Sequence, residues 1–101
     1  MSVLSVLITK EENRNRNMIA EYMRGLETLP KGSVKAKTIN GNVYYYLVFR
    51  NGNKIVSKYI GKDEESIAII REQILRRKQV EEIIKRLMEE KKQIEKLEAE
   101  L

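Results

Sequence analysis

The chain has 101 residues, 42% of them apolar and 35% charged, with no Cys, no His and a formal net charge of +5. That length holds one domain over residues 1–101 with a modest core. Without Cys or His there are no disulfides, no thiolate nucleophile, and neither the commonest general base nor the commonest metal ligand.

The apolar start, Met1 to Ile8, lacks a leading basic region and is too short for a signal peptide or a membrane span. A soluble, cytoplasmic protein with no membrane partner is the expectation. Thr9 followed by Glu12 has the spacing of a capping box, and Ile19, Tyr22, Met23 and Leu26 then recur on one helical face. The spacing predicts a helix over 10–28, weakened by Gly25 and stopped by Pro30. Its polar start, Asn13 to Asn17, reads as a solvated turn, with a phosphate contact from Arg14 or Arg16 as the alternative.

Between 33 and 60 the period changes to that of strands. Ser33–Ile39, Val43–Arg50 and Lys54–Ile60 are rich in Val, Ile and Tyr and are separated by Asn40-Gly41 and Asn51-Gly52. Asn-Gly suits a two-residue turn because both positions tolerate positive φ, so a three-stranded antiparallel meander is expected. With two-residue turns, alternation places Val34, Ala36, Val43, Tyr45, Leu47, Phe49, Val56 and Ile60 on one face, with Lys54 and Lys58 at its rim. The other face holds Lys35, Lys37, Ile39, Tyr44, Tyr46, Val48, Arg50, Ile55, Ser57 and Tyr59. The first face is expected to pack on a helix. A three-residue loop at 51–53 would reverse the third strand.

From Asp63 to the end no Gly or Pro interrupts a helical pattern, and Asp63, Glu64 and Glu65 suit the positive end of the helix dipole. A helix over 63–101 would run about 58 Å at ~1.5 Å per residue, more than twice a seven-residue strand. Its far part, 80–101, carries Val80, Leu87, Ile94 and Leu101 at seven-residue intervals, with Ile83 and Leu97 between and Glu90 as a break. That is a coiled-coil seam, for pairing either with the first helix or, as slightly preferred, with a second copy in a homodimer. The fold class is therefore α+β: an N-terminal helix, a three-stranded meander and a long C-terminal helix.

Charge is distributed unevenly. Segment 31–62 carries Lys31, Lys35, Lys37, Arg50, Lys54, Lys58 and Lys62 with no Asp or Glu, whereas the flanks are neutral or slightly acidic. An acid-free basic segment points to an anionic partner. Lys and Arg neutralise phosphates, Tyr stacks or donates a hydrogen bond, and a thin β ribbon fits the major groove of a duplex. Lys35, Lys37, Tyr44, Tyr46, Arg50 and Tyr59 are the candidate nucleic-acid-binding residues, with duplex DNA as the partner. The plainer alternative is a solvated face on which Tyr residues form cross-strand ladders and Lys residues guard against edge pairing.

A second basic patch, Arg71, Arg76, Arg77 and Lys78, reads first as a solvated helix face. The adjacent carboxylates Glu64-Glu65, Glu81-Glu82 and Glu89-Glu90 splay apart on a helix, and Gly32, Gly41, Gly52 and Gly61 are turn residues, not a phosphate loop. No catalytic machinery, metal site or cofactor is expected. The rival function is a protein-interaction module, such as a phage-type inhibitor or adaptor, acting through the long helix.

The run Leu29-Pro30-Lys31-Gly32-Ser33, Tyr44-Tyr45-Tyr46, Arg50-Asn51-Gly52-Asn53-Lys54 and Tyr59-Ile60-Gly61 resembles a family of uncharacterised small prokaryotic and phage domains, across about residues 29–100. More distantly, a basic meander followed by a helix is similar to the arm-type DNA-binding domain of tyrosine recombinases. That resemblance implies DNA binding through the sheet, without recombination itself; a regulator or mobile-element accessory protein is the expected role.

Overall fold

The computed structural model describes residues 2–101. Five elements follow one another: α1 (Val3–Leu26), β1 (Ser33–Ile39), β2 (Asn42–Asn51), β3 (Lys54–Gly61) and α2 (Glu64–Glu100). The sheet is an antiparallel meander in the order β1-β2-β3, so the α+β architecture is as the sequence predicts. Two compact units form: a sheet unit, Leu29–Lys78, and a helical unit made of the chain up to Thr28 and from Gln79 onward. α2 contributes its first turns to one and its remainder to the other.

α1 starts seven residues before the predicted position. Ser2 is the N-cap, its Oγ accepting the Ser5 N–H at 3.1 Å. Thr9, the predicted cap, lies inside the helix and donates its hydroxyl to the Ser5 carbonyl at 3.0 Å. Glu12 pairs with Arg16 at 2.9 Å instead of closing a capping box. The apolar run before Thr9 is thus helix, and Ile8 is already half-buried. The other end also moves: α1 stops at Leu26, Gly25 lies within it, and Glu27 is the C-cap.

In the helical unit α1 runs antiparallel to the far part of α2. Moving forward along α1, contacts move backward along α2: Leu7 and Ile8 share a groove with Ile94 and Leu97, Arg14 meets Glu90, and Asn15 meets Leu87. Ile19, Val80, Leu87 and Ile94 are the buried apolar residues of this unit. The seam that the spacing offered to a second copy is therefore lined by the chain's own α1. Within it Val80, Leu87 and Ile94 are buried and Ile83 is half-buried, while Leu97 and Leu101 stay exposed.

The least exposed side chain of the described residues is polar. Asn15, 2% exposed, donates from Nδ2 to the Leu87 carbonyl at 2.9 Å. The solvated-turn expectation for 13–17 fails at this position because Asn15 lies on the α1 stripe, four residues before Ile19. Burial is tolerable because the amide finds a partner. Glu90, the apparent break in the seam, receives Arg14 at 3.0 Å. Near the far end, a hydrogen bond to Glu12 and that residue's charge hold the Glu98 carboxyl above the usual carboxylate range. A raised folded value means this contact favours the α1–α2 pairing at acid pH and is lost as pH rises through it.

In the sheet unit, the pairs Val34–Leu47, Ala36–Tyr45 and Thr38–Val43 set the β1–β2 register, and Phe49–Val56 and Arg50–Ile55 that of β2–β3. Each facing pair shares a side, so the two faces divide as alternation predicts. The second turn, however, is Gly52-Asn53 and not Asn51-Gly52, since Asn51 pairs with Lys54. Gly52 takes φ of 62° at the first central position, as a type II′ turn requires, whereas Asn40 and Gly41 are both positive. Shifting a two-residue turn by one residue leaves face parity unchanged.

Leu47 on the apolar face, with Ile67 and Ile74 on α2, forms the buried core of the sheet unit. Coverage of that face is incomplete: toward the β1–β2 turn, Ala36, Thr38 and Val43 are exposed, Val43 at 42%. Arg77 ties the same unit together by donating Nη1 to the Leu29 carbonyl at 2.7 Å. Asp63 caps α2. Its carboxylate accepts the Ser66 hydroxyl at 2.9 Å and the Glu65 and Ser66 N–H groups at 3.3 and 3.4 Å, which together hold it below its ordinary value of 3.8.

Two predictions follow from this packing. A Cβ at Gly32, where φ is +113°, would lie 2.2 Å from the Val48 carbonyl oxygen, whereas one at helical Gly25 meets nothing within 4 Å. Gly32→Ala is expected to destabilise by roughly 2–4 kcal/mol and Gly25→Ala to be neutral or stabilising by up to about 1 kcal/mol in urea titrations. An equal effect at both would remove the argument from close approach. Asp63, with its lowered folded pKa, contributes stability above 3.8 that is lost as pH falls through the lowered value. Asp63→Asn keeps a capping oxygen that does not titrate, so the wild-type midpoint is expected to drop toward that of the variant in strong acid. A constant gap at every pH would contradict it.

Candidate functional site

The candidate residues are brought together by two cross-strand rows. Lys35 faces Tyr46, which faces Tyr59, and Lys37 faces Tyr44 in the next row toward the β1–β2 turn. Arg50 shares the face but stands four residues from Tyr46, about 13 Å along the strand at ~3.3 Å per residue, with the Val48–Ser57 row between. The structure thus assembles five of the six residues and leaves Arg50 at the opposite end, beside exposed Ile55.

The tyrosines form a cluster and not a flat platform. Tyr59 sits against Tyr46 with centroids 5.4 Å apart and planes at 57°, and against Tyr44 at 6.2 Å and 52°. Tilted pairs of this kind satisfy the ring quadrupoles and contribute about 0.5–1.5 kcal/mol each beyond area burial. Tyr44 and Tyr46 are half-buried among these neighbours, while Tyr59 is 54% exposed. Lys37 Nζ lies 4.7 Å from the centre of the Tyr46 ring, reaching diagonally across the β1–β2 pairing.

A second ammonium completes the arrangement. Lys62 Nζ lies 4.7 Å from the centre of the Tyr44 ring. Lys62 falls outside the strands as read from the sequence and is absent from the candidate set above. A β-bulge brings it in: Tyr46 pairs with Tyr59 but Tyr45 pairs with Gly61, so Ile60 is an extra residue. One extra residue reverses alternation beyond it, and Lys62 emerges on the tyrosine face. Gly61, at φ of 129°, is the sequence-level trace of the bulge, since Gly at a strand end often marks one.

The face is cationic in a cationic unit. Residues 29–78 carry eleven Lys or Arg against four Asp or Glu, while the rest of the chain carries nine against eleven. Lys35, Lys37, Arg50, Lys54, Lys58 and Lys62 are all exposed. Of the second basic patch, Arg71, Arg76 and Lys78 are exposed, whereas half-buried Arg77 is spent on the Leu29 carbonyl. Arg14 and Arg16 lie in the helical unit, paired with Glu11, Glu90 and Glu12.

Among the described residues no group of three or more carboxylates could hold a metal ion, and no helix is long and apolar enough to cross a membrane. Compared with known proteins, the chain matches the profile of a family described as a Domain of unknown function (DUF6788) over residues 8–68. The match takes in most of α1, the whole sheet and the first turn of α2, so it begins earlier and ends sooner than the 29–100 resemblance seen in the motifs. No curated protein and no solved structure matches the chain.

Proposed function

The chain belongs to the DUF6788 family, whose description assigns no activity, and from its own residues we propose that it binds nucleic acid, double-stranded DNA in particular, through the Lys35, Lys37, Tyr44, Tyr46, Tyr59 and Arg50 face of the sheet. The observation that carries this reading is an exposed sheet face with cationic side chains and not one carboxylate among residues 31–62. Such a surface attracts the phosphate backbone and releases its counterions, a term that is large at low salt and falls steeply as salt rises. The uncovered stretch around Val43 and Ile39 supports it further, because a β ribbon open on both sides is thin enough to approach a groove. A DNA-binding accessory protein or regulator in the cytoplasm is the role this chemistry suits.

A second reading rests on a different observation. Leu7 and Leu97, 53% and 52% exposed, flank a groove of about 320 Å³ floored by Ile8 and Ile94, and Val3, Leu4 and Leu101 are exposed in the same helical unit. We propose the helical unit of a second copy of the chain as its occupant, giving a homodimer. Arg14 is already matched to Glu11 and Glu90 along the groove, so two copies meet there without unpaired like charges.

Each reading has its own test. Binding of a DNA duplex is expected to weaken steeply with salt, and Lys35→Ala with Lys37→Ala to bind more weakly with a slope shallower by about 0.9 per lost phosphate contact. Undiminished binding by the double variant would exclude this face. For self-association, sedimentation is expected to give a dimer that Leu7→Glu with Leu97→Glu converts to a monomer. A monomeric wild type at the highest soluble concentration would exclude the dimer.

A further inference from the structure

We infer that Lys37 and Lys62 act together as a phosphate clamp held in position by Tyr44, Tyr46 and Tyr59, and that the clamp takes the sugar-phosphate backbone of a duplex and not the bases of a single strand. The inference rests on the nucleic-acid reading above and deepens it by adding Lys62 and by giving the tyrosines a positioning role.

The geometry carries it. Stacking platforms for single strands offer aromatic faces to successive bases. Here the Tyr46 and Tyr44 faces each already carry an ammonium, 4.7 Å from the ring centre in both cases. The third ring, Tyr59, is tilted at 57° to Tyr46 and 52° to Tyr44, so it extends neither of them into a parallel surface for neighbouring bases. The rings instead restrain two long, flexible lysine stems from opposite sides of β2, one from β1 and one from beyond β3. A ring face satisfies part of the ammonium charge but accepts no conventional hydrogen bond along all three N–H directions, which leaves donors for phosphate oxygens. Fixing the stems in advance lowers the ordering cost of contact. Tyr44 and Tyr46 are two residues apart on one strand face, about 7 Å along β2 at ~3.3 Å per residue, so both lysine–ring contacts lie on the same face of the sheet.

The chain has no Trp, and three of its five Tyr form the cluster, so these rings contribute most of its tyrosine residues to the intrinsic emission. The experiment titrates the full chain with a DNA duplex, an RNA duplex and a single strand of the same DNA sequence, reading anisotropy of the labelled nucleic acid and tyrosine emission in parallel. The clamp predicts tighter binding to duplex than to single strand, little quenching on duplex binding, and a Lys62→Gln variant that binds the duplex severalfold more weakly with a salt slope shallower by about 0.9. Lys62→Arg, which keeps the charge, is expected to retain most of the affinity. The two duplexes distinguish DNA from RNA as the source of the backbone. Tighter single-strand binding with strong quenching would overturn the clamp and leave a stacking surface in its place. Unchanged affinity and slope in Lys62→Gln, while Lys35→Ala with Lys37→Ala weakens binding, would overturn the clamp and leave the wider face intact. Failure of the wild type to bind any of the three at low salt would overturn both readings.

Discussion

Everything in the sheet unit depends on parity. Two two-residue turns join three strands whose side chains alternate, so the turns determine which residues of β1, β2 and β3 share a side. Leu47 can then meet the same interior as Ile67 and Ile74, and the lysines and tyrosines of the opposite face remain outside. Displacing a turn by one residue, as at Gly52-Asn53, changes a pairing sum by two and leaves every face intact. A single extra residue without compensation does not, and the bulge at Ile60 uses that difference to turn Lys62 onto the tyrosine side.

The tyrosine cluster serves stability and surface chemistry at once. Its two tilted ring pairs and two lysine–ring contacts lie on the outer face of the sheet among half-buried and exposed rings, where each contributes from a few tenths to about 1.5 kcal/mol. This is the cross-strand ladder that the plainer sequence reading describes, and it coexists with a cationic surface because the rings spend their faces on lysines while the lysines keep outward donors. For the same reason tyrosine substitutions disturb the sheet together with its surface, and lysine substitutions are the cleaner probe.

In the helical unit the controlling element is polar. A seam of Val80, Leu87 and Ile94 alone would accept many partners and registers, since apolar packing is non-directional. Asn15 donating to the Leu87 carbonyl, and Arg14 reaching Glu90, give α1 one position along α2 at which every buried side-chain polar atom of the described residues has a partner. Neither contact is wholly visible as periodicity. Continuing the α1 stripe backward from Ile19 at helical spacing lands on Asn15, Glu12 and Ile8, but three of the five residues from 13 to 17 are Asn and the other two Arg, which reads as solvent-facing until a partner helix is present.

By itself the sequence determined the element types and their order, the division of the sheet into an apolar and a cationic face, and the concentration of positive charge between 31 and 62. These follow from local rules: turn residues that accept positive φ, the periods of two and 3.6, and the formal charges. Tertiary structure decided the early start of α1, the burial of Asn15, the choice of α1 as the partner of the α2 seam, and the arrival of Lys62 beside Tyr44. Most of those depend on what a residue meets across space, an amide facing a carbonyl 72 positions away or a strand lengthened by one residue against its neighbour, and of such meetings the chain carries at most a trace, as Gly61 does at the bulge.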